Sequence, residues 1–328
     1  MDVLREYLYV DLEKVKGLAS QLYEGVPEAS EESRKKTAGG QIGSRNIAFA
    51  AMGRESDVMD RKAVIDALFP AIERDLEAEG YLEDISLIVD EAEKLYSGEL
   101  GNDYPPGSLV RITAPGRLID PRYFARAMAG FATAATGLQM LGSKPDLPTR
   151  RPGKQKSGQP RGGKAHDSVD DEGIPDIPDG FDMDSSQIRA MVKIMRGMYP
   201  EGVSLALSPT GVEGPAVSVR LQEGRQHLDA DPQTLFARYG LGLQEWTVVG
   251  TIGHHAVSRK TDLEGADFTD AGGLINRGKM TAFVNDFLET MATIGVVEMP
   301  QAPGFSVVPV AVYRVIPRLR KTQDVHDL

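Results

Sequence analysis

The chain is interrupted near its middle by a stretch that cannot contribute to a hydrophobic core. Residues 143–184 contain six prolines, six glycines and almost no aromatic residues. Such a composition buries too little apolar surface to offset the entropy lost when a chain becomes ordered. We therefore predict a disordered linker here, between an N-terminal domain (residues 1–142) and a C-terminal domain (residues 185–320), with a tail over residues 321–328.

The charge of this linker is polarised, because its basic residues come first and its acidic residues follow. One interpretation is a tether for an anionic partner such as nucleic acid. The other, which we favour, is a solvated linker whose two halves partly neutralise each other. The basic residues are Arg150, Arg151, Lys154, Lys156, Arg161 and Lys164, with no acidic residue among them.

Composition excludes several classes of site. The formal net charge of -11 opposes broad binding to a phosphate backbone. The absence of cysteine excludes disulfides, thiol nucleophiles, zinc ribbons and iron–sulfur clusters. No apolar run approaches the ~18 residues that a membrane-spanning helix requires, and the charged N-terminus lacks the apolar region of a signal peptide. We expect a cytoplasmic protein that does not bind membranes.

The N-terminal domain is predicted to begin with a strand followed directly by a helix. Residues 4–10 are rich in aromatic and β-branched types, and Asp11 is a good helix N-cap. Residues 28–55 end in a glycine- and alanine-rich run and predict a mobile loop. An apolar stripe over residues 57–82 predicts a helix with its charges on the opposite face, kinked or split at Pro70.

The rest of this domain is predicted to contain a weak helix over residues 85–96 and a strand over residues 108–114. A turn is expected at Pro115-Gly116. Asp120 and Pro121 then supply the first two positions of a helix that runs to about Leu141. This helix is rich in alanine, so we expect it to be buried or packed closely against a partner.

The C-terminal domain is predicted to alternate helices and strands. Residues 246–252 are the most strand-like run, residues 279–294 form an amphipathic helix, and residues 305–316 form a last strand in which Pro309 favours an edge or a bulge. The order of elements indicates an α+β fold. We predict two α/β-type lobes with mainly antiparallel sheets and flanking helices, joined by the linker.

His254 and His255 form the most unusual pair of polar residues, just past the strongest predicted strand. Loops at strand ends commonly carry function. Adjacent strand residues point to opposite faces, so the two rings rarely bind one metal unless the strand has ended. We favour two half-exposed imidazoles at a strand end over a metal site, for which Asp262, Glu264, Asp267 and Asp270 are the nearest further ligands in sequence.

A second polar cluster surrounds the sequence EGRQHLD at residues 223–229. Its arginines have the geometry to grip a phosphate or carboxylate with two hydrogen bonds, and they can equally pair with nearby acidic residues as a structural network. We favour the network. The candidate ligand-binding residues are Arg220, Arg225, His227 and Arg238.

No established catalytic or cofactor motif is present. The chain has no Gly-x-Ser-x-Gly, Walker, His-Glu-x-x-His or Gly-x-Gly-x-x-Gly sequence. Aromatic residues make up 6% of the chain, and most fall on predicted core faces, so a stacking platform for single-stranded nucleic acid is not apparent. We predict no cofactor and no metal.

Several segments resemble an uncharacterised bacterial family of unknown function. They are REYLYVDLEKVKGLASQL at the start, then GSLVRITAPGRLIDPRYFA and LFARYGLGLQEWTVVGTIGHHA further along. The resemblance covers both halves and skips the linker. It implies a bacterial cytoplasmic protein and carries no activity or catalytic residue.

Three functional hypotheses remain. We favour a non-enzymatic binding or regulatory protein, in a stress or defence module, that recognises a partner protein or small ligand. The first alternative is a metal- or arginine-assisted hydrolase of a phosphate compound, using His254, His255 and Arg225. The second is a nucleic-acid tether through residues 150–164. The oligomeric state and the packing of the two domains do not follow from the sequence.

Overall fold

The computed structural model describes residues 3–23, 58–141, 185–199, 201–221, 227–256, 272–293, 295, 297 and 299–317. The predicted mobile loop, the linker and the tail lie outside these residues. The described residues fall into two compact units, one formed by the chain up to Ile119 together with the chain from Gly202 onward, and one between Asp120 and Glu201.

Seven strands lie within the described residues, all in the first unit and all in one sheet. Their path is β1-β7-β5-β4-β3-β2, and β6 pairs with both β3 and β7. Strands β3, β4, β5, β7 and β6 therefore close into a small five-stranded barrel. The strands are β1 (Leu4–Val10), β2 (Leu82–Asp84), β3 (Leu109–Ile119), β4 (Ser204–Leu207), β5 (Val217–Arg220), β6 (Gln244–His255) and β7 (Phe305–Ile316).

The chain is α+β, but the arrangement of its sheet differs from the prediction. β1 and β3, from the first half of the chain, pair with β7 and with β4 and β6 from the second half. The two halves therefore contribute to one sheet rather than to one sheet each. The sheet is mixed, because β2–β3 and β5–β7 are parallel and the other pairs are antiparallel.

The helices of the described residues are interspersed among these strands along the chain. Asp11 caps α1 by accepting a hydrogen bond from the Lys14 backbone N–H at 3.1 Å, as the sequence predicted. The helices are α1 (Leu12–Leu22), α2 (Val58–Ala78), α3 (Ser86–Asp90), α4 (Ala92–Ser97), α5 (Glu99–Asp103), α6 (Pro121–Met140), α7 (Ser185–Met198), α8 (Pro232–Tyr239) and α9 (Arg277–Thr293).

The interior of the barrel is the larger hydrophobic core. Alternate residues of its strands point inward and meet in one buried cluster, as the two-residue period of a strand requires. Trp246 is the largest of the fully buried side chains and packs edge-on against Tyr239 of α8. Further members of the cluster are Ile112, Leu205, Val219, Val248 and Val307.

A second core lies on the outer face of the sheet, where α1 and α2 cover β1, β6 and β7. Phe69 and Ile72 of α2 pack there with Val249 and Tyr313. The helix is continuous through Pro70, so the predicted kink or break does not end it. One charged residue, Glu73, also lies on this buried face, which corrects the expectation that all charges of α2 face away from the core.

The predicted turn at Pro115-Gly116 is wrong, because β3 runs straight through both residues. Pro115 and Gly116 pair with Glu245 and Gln244 of β6, and Gly116 is also the first residue to pair with β4. A Cβ at Gly116 would lie 2.7 Å from Leu207 Cδ2 and 3.0 Å from the Ala206 carbonyl oxygen. The glycine is therefore required by close approach of a neighbouring strand rather than by a turn.

Pro309 coincides with a bulge in β7, as predicted. Gly250 of β6 pairs with Pro309, whereas the preceding Val249 pairs with Ala311, so Val310 is the extra residue. A bulge accommodates a residue that has no N–H to donate to the ladder.

The second unit contains the packed helix pair α6 and α7. Asp120 caps α6 by accepting a hydrogen bond from the Tyr123 backbone N–H at 2.8 Å, as predicted. Ala125 and Ala132 of α6 pack against Ile188 and Val192 of α7. The alanines that contact α7 let the two helices approach closely.

Candidate functional site

Among the described residues of the first unit, α9 has an exposed apolar face. The amphipathic helix predicted over residues 279–294 is confirmed with slightly different ends. Its apolar side chains do not enter the core: among its described residues only Ala292 is buried. Met280, Val284, Phe287 and Leu288 are each between 41% and 47% exposed.

These residues form a broad face rather than a narrow seam. Met280, Val284 and Phe287 follow the spacing of one helix face, and Phe283 and Leu288 widen it on either side. The half-buried Phe283 ring stacks on that of Phe287 at 6.3 Å, which holds both aromatic side chains along the helix. We call Met280, Phe283, Val284, Phe287 and Leu288 the α9 apolar face.

Some aromatic residues are exceptions to the expectation that most of them lie on core faces. Phe287 lies in the α9 apolar face, and Phe124 and Phe131 of α6 are also about two-fifths exposed. The amphipathic pattern of α9 identified the face, but the pattern is the same whether the surface it contacts belongs to its own chain or to another molecule. No described helix is both long enough and apolar enough to cross a lipid bilayer.

His255 is held in a structural position at the end of β6. Its Nε2 lies 2.8 Å from the Tyr104 carbonyl oxygen, which can only accept, so the ring donates a proton there. The ring also packs against Phe305 with centroids 5.3 Å apart. His255 thus joins the segment after α5 to the rim of the barrel.

His254 is exposed beside it. Within the described residues, no three His, Asp or Glu side chains come close enough together to hold a metal ion. Asp262, Glu264, Asp267 and Asp270 lie outside those residues. The described geometry thus gives His255 a hydrogen-bonding role and leaves the pair without a described third ligand.

The second predicted cluster is spread over several elements. Arg238 forms an ion pair with Asp229 at 2.6 Å, the type of pairing expected of a structural network. The His227 ring packs on Tyr9 with centroids 5.7 Å apart, and its carbonyl accepts from the Val10 N–H. Arg220 lies on β5 opposite Ser204, and Arg225 lies outside the described residues.

The structure separates His227, a member of the second cluster, from the histidine pair. His255 pairs with Phe305 at the start of β7. Leu228, next to His227, bridges to Tyr9, which pairs with Val312. Seven residues of a strand span roughly 20 Å, so His227 and the histidine pair do not share a substrate-sized site.

A buried ionic cluster on the outer face of the sheet was not predicted from the sequence. The Glu73 carboxylate, 1% exposed, accepts hydrogen bonds from Arg5, Arg111 and the Tyr313 hydroxyl, each at 2.8 Å. Arg111 also pairs with Glu77 of the same helix. The cluster ties α2 to β1, β3 and β7, and a single carboxylate within an apolar stripe was the signal for it.

Tyr313 gives this cluster a pH dependence. Burial and the neighbouring Glu73 carboxylate raise the pKa of Tyr313 to about 12, against about 10 for an ordinary tyrosine. The native state therefore holds the phenolic proton more tightly than the unfolded chain does. This contribution to stability is complete below about pH 10 and is lost as the pH rises towards 12.

We expect the free energy of unfolding to fall by up to about 2 kcal/mol between pH 10 and 12 on account of Tyr313. Urea unfolding at a series of pH values measures the slope, and Tyr313→Phe removes the titrating group. The variant should be less stable at neutral pH and should lose stability less steeply above pH 10. Equal slopes for the two proteins would contradict the assignment.

A comparison with protein-family models matches residues 4–313 to the family described as Domain of unknown function (DUF6414). The chain belongs to this family. The match extends from the start of β1 into β7 and includes both predicted clusters, and it confirms the resemblance to an uncharacterised family of unknown function. No curated protein and no solved structure matches the chain. DUF6414 therefore supplies a family but no reaction, and functional arguments rest on the surfaces described above.

Proposed function

We propose that the protein is a non-enzymatic binding protein that docks α9 into an apolar groove of a partner protein. The observation that carries this proposal is the exposed α9 apolar face on a helix of 17 residues. Side chains at helical spacing are the anchors that a groove-binding helix uses. A helix of this length spans about 25 Å, enough for three successive anchors.

The width of the face favours a groove over a single opposing helix. A stripe about 100° wide or more is typical of a helix that contacts several elements at once, whereas a narrow seam suits one partner helix. The α9 apolar face is broad in this sense, because Phe283 and Leu288 lie on either side of the line formed by Met280, Val284 and Phe287.

The negative net charge of the chain favours a groove with a positively charged rim. The two basic and two acidic residues of α9 cancel, but the whole chain carries a net charge of -11. A partner with lysines or arginines beside its groove is therefore attracted at a distance. The partner class is an apolar groove with a basic rim.

Photo-crosslinking in the native host tests the proposal and identifies the partner. p-Benzoylphenylalanine replaces Phe287 in one protein and Asn285, an exposed residue on the other side of α9, in a control. We expect one specific protein adduct from position 287 and none from position 285. The same adducts from both positions, or none from position 287, would overturn the proposal.

Affinity measurements with the captured protein provide the second arm. Val284→Asp should weaken binding about tenfold or more, because a buried valine contributes on the order of 1.5 kcal/mol and tenfold in Kd is 1.4 kcal/mol. Asn285→Asp adds the same charge outside the face and should leave the Kd unchanged. If the two substitutions have equal effects, docking does not occur through this face.

A further inference from the structure

A second, different exposed surface lies on α6, in the second unit. Five of its residues, together with Leu141 directly after it, repeat at alternating spacings of three and four, the heptad pattern of helices that pair side by side. All six are exposed, and the large ones are 43%, 40%, 41% and 81% exposed in chain order. We call them the α6 seam: Phe124, Ala127, Phe131, Ala134, Leu138 and Leu141.

The seam is a separate feature from the buried face of the same helix. Ala125 and Ala132 contact α7, whereas the seam points to another side of α6. The Leu141 N–H donates to the Gly137 carbonyl, which continues the helical spacing to the last seam residue. Gly130 and Gly137 flank the seam and are exposed, so the backbone of a second helix is able to approach closely.

Side-chain sizes along the seam make it complementary to itself in one orientation. In an antiparallel pair of helices with heptad repeats, each a position of one helix faces a d position of the other. Here the a positions are Phe124, Phe131 and Leu138, and the d positions are Ala127, Ala134 and Leu141. If the two-fold axis passes between Phe131 and Ala134, then Phe131 of each copy contacts Ala134 of the other copy. Ala127 then meets Leu138, so large side chains fill the space beside small ones in the central layers.

Charge favours the same orientation. The described residues of α6 include only two charged residues, Arg122 and Arg126, and both lie in its first two turns. A parallel pair would bring the four arginines of two copies together, whereas an antiparallel pair places them at opposite ends. No seam residue is charged, and no residue of α6 after Arg126 is charged, so pairing leaves no seam charge buried.

We propose that α6 is a homotypic interface, through which two copies of this chain pair antiparallel along the α6 seam. The contact is isologous, so it closes on itself and forms a dimer rather than a filament. A single helix pair is at the low end of interface sizes, and we expect a reversible dimer with Kd on the order of 10 μM.

Sedimentation velocity of the full chain from about 1 to about 100 μM tests whether this dimer exists. We expect a concentration-dependent monomer–dimer equilibrium. Ala134→Glu places a charge at the centre of the seam and should weaken the dimer at least tenfold, while Thr133→Glu, exposed beside it but outside the seam, should not. A monomer throughout the range overturns the proposal, as does a dimer that survives Ala134→Glu or is lost in Val284→Asp of the α9 apolar face.

The absence of cysteine makes a second test unambiguous, because any disulfide must come from an introduced residue. A tagged Ala127→Cys protein and an untagged Leu138→Cys protein are mixed and oxidised. The antiparallel pair predicts a disulfide between the two different proteins. A disulfide that joins two copies of Ala127→Cys instead indicates parallel helices and overturns the proposal, and so does the absence of any covalent dimer.

Discussion

Replacement of Glu73 by glutamine is expected to lower the free energy of unfolding by about 3 kcal/mol. Glu73 is almost fully buried and is the acceptor for Arg5, Arg111 and Tyr313 at once. Glutamine keeps the shape of the side chain but removes the negative charge and places an N–H₂ group where a donor already points. Two arginine side chains, each 15% exposed, are then left without their shared buried anion.

A matched substitution on the same helix separates this effect from a general loss of charge. Glu77 also pairs with Arg111, but its side chain is 50% exposed. Burial alone would lower the pKa of Arg111. The hydrogen bonds and negative charges of Glu77 and Glu73 outweigh burial, so the pKa of Arg111 is raised. Glu77→Gln should cost less than about 1 kcal/mol, because water replaces an exposed partner. Urea unfolding curves of both variants measure the difference, and equal losses would contradict a special role for Glu73.

Elements with local signals could be predicted from the sequence. The strand at residues 4–10, the caps Asp11 and Asp120, and the last strand at residues 305–316 all match the structure. In each case the residues that fix the element lie within a few positions of it. A cap needs only its own side chain and a backbone N–H three residues on.

Contacts between distant segments could not be predicted in this way. β1 pairs with β7 at the far end of the chain, and β3 joins strands on both sides of residues 143–184. No periodicity in either segment specifies its partner. Pro115-Gly116 was misinterpreted for the same reason, because the dipeptide is typical of a turn and only the nearness of Leu207 explains the glycine.

The sequence predicted the residue patterns of both candidate surfaces, but it did not predict that these faces are exposed. The amphipathic period of α9 and the small residues of α6 are visible in the sequence, yet both were compatible with burial in the chain's own core. Amphipathicity arises from any contact with an apolar surface, whether that surface belongs to the same chain or to another. Phe287 and Phe131 are 42% and 40% exposed, so neither is fully buried in the chain's own core.

Gly250→Ala is expected to destabilise the barrel by about 3 kcal/mol, the upper end for overpacking in a core. A Cβ at this position would lie 2.5 Å from the Val308 carbonyl oxygen and 2.9 Å from Pro309 Cα, both backbone atoms of β7. Backbone cannot rotate away as a side chain does. Accommodation requires β6 and β7 to separate at the bulge, where the ladder that closes the barrel is already interrupted.

Gly253, three residues further along β6, is the control. A Cβ there would lie 2.9 Å from Ser306 Oγ, the end of a side chain that is free to change rotamer, and 3.3 Å from Val308 Cγ2. Neither glycine has a left-handed φ, so steric contact alone distinguishes them. Gly253→Ala should therefore cost less than about 1 kcal/mol in urea unfolding. Because β6 joins β3 to β7, a large loss at Gly250 and a small one at Gly253 would show that closure of the ring depends on the close approach of β6 to the β7 bulge.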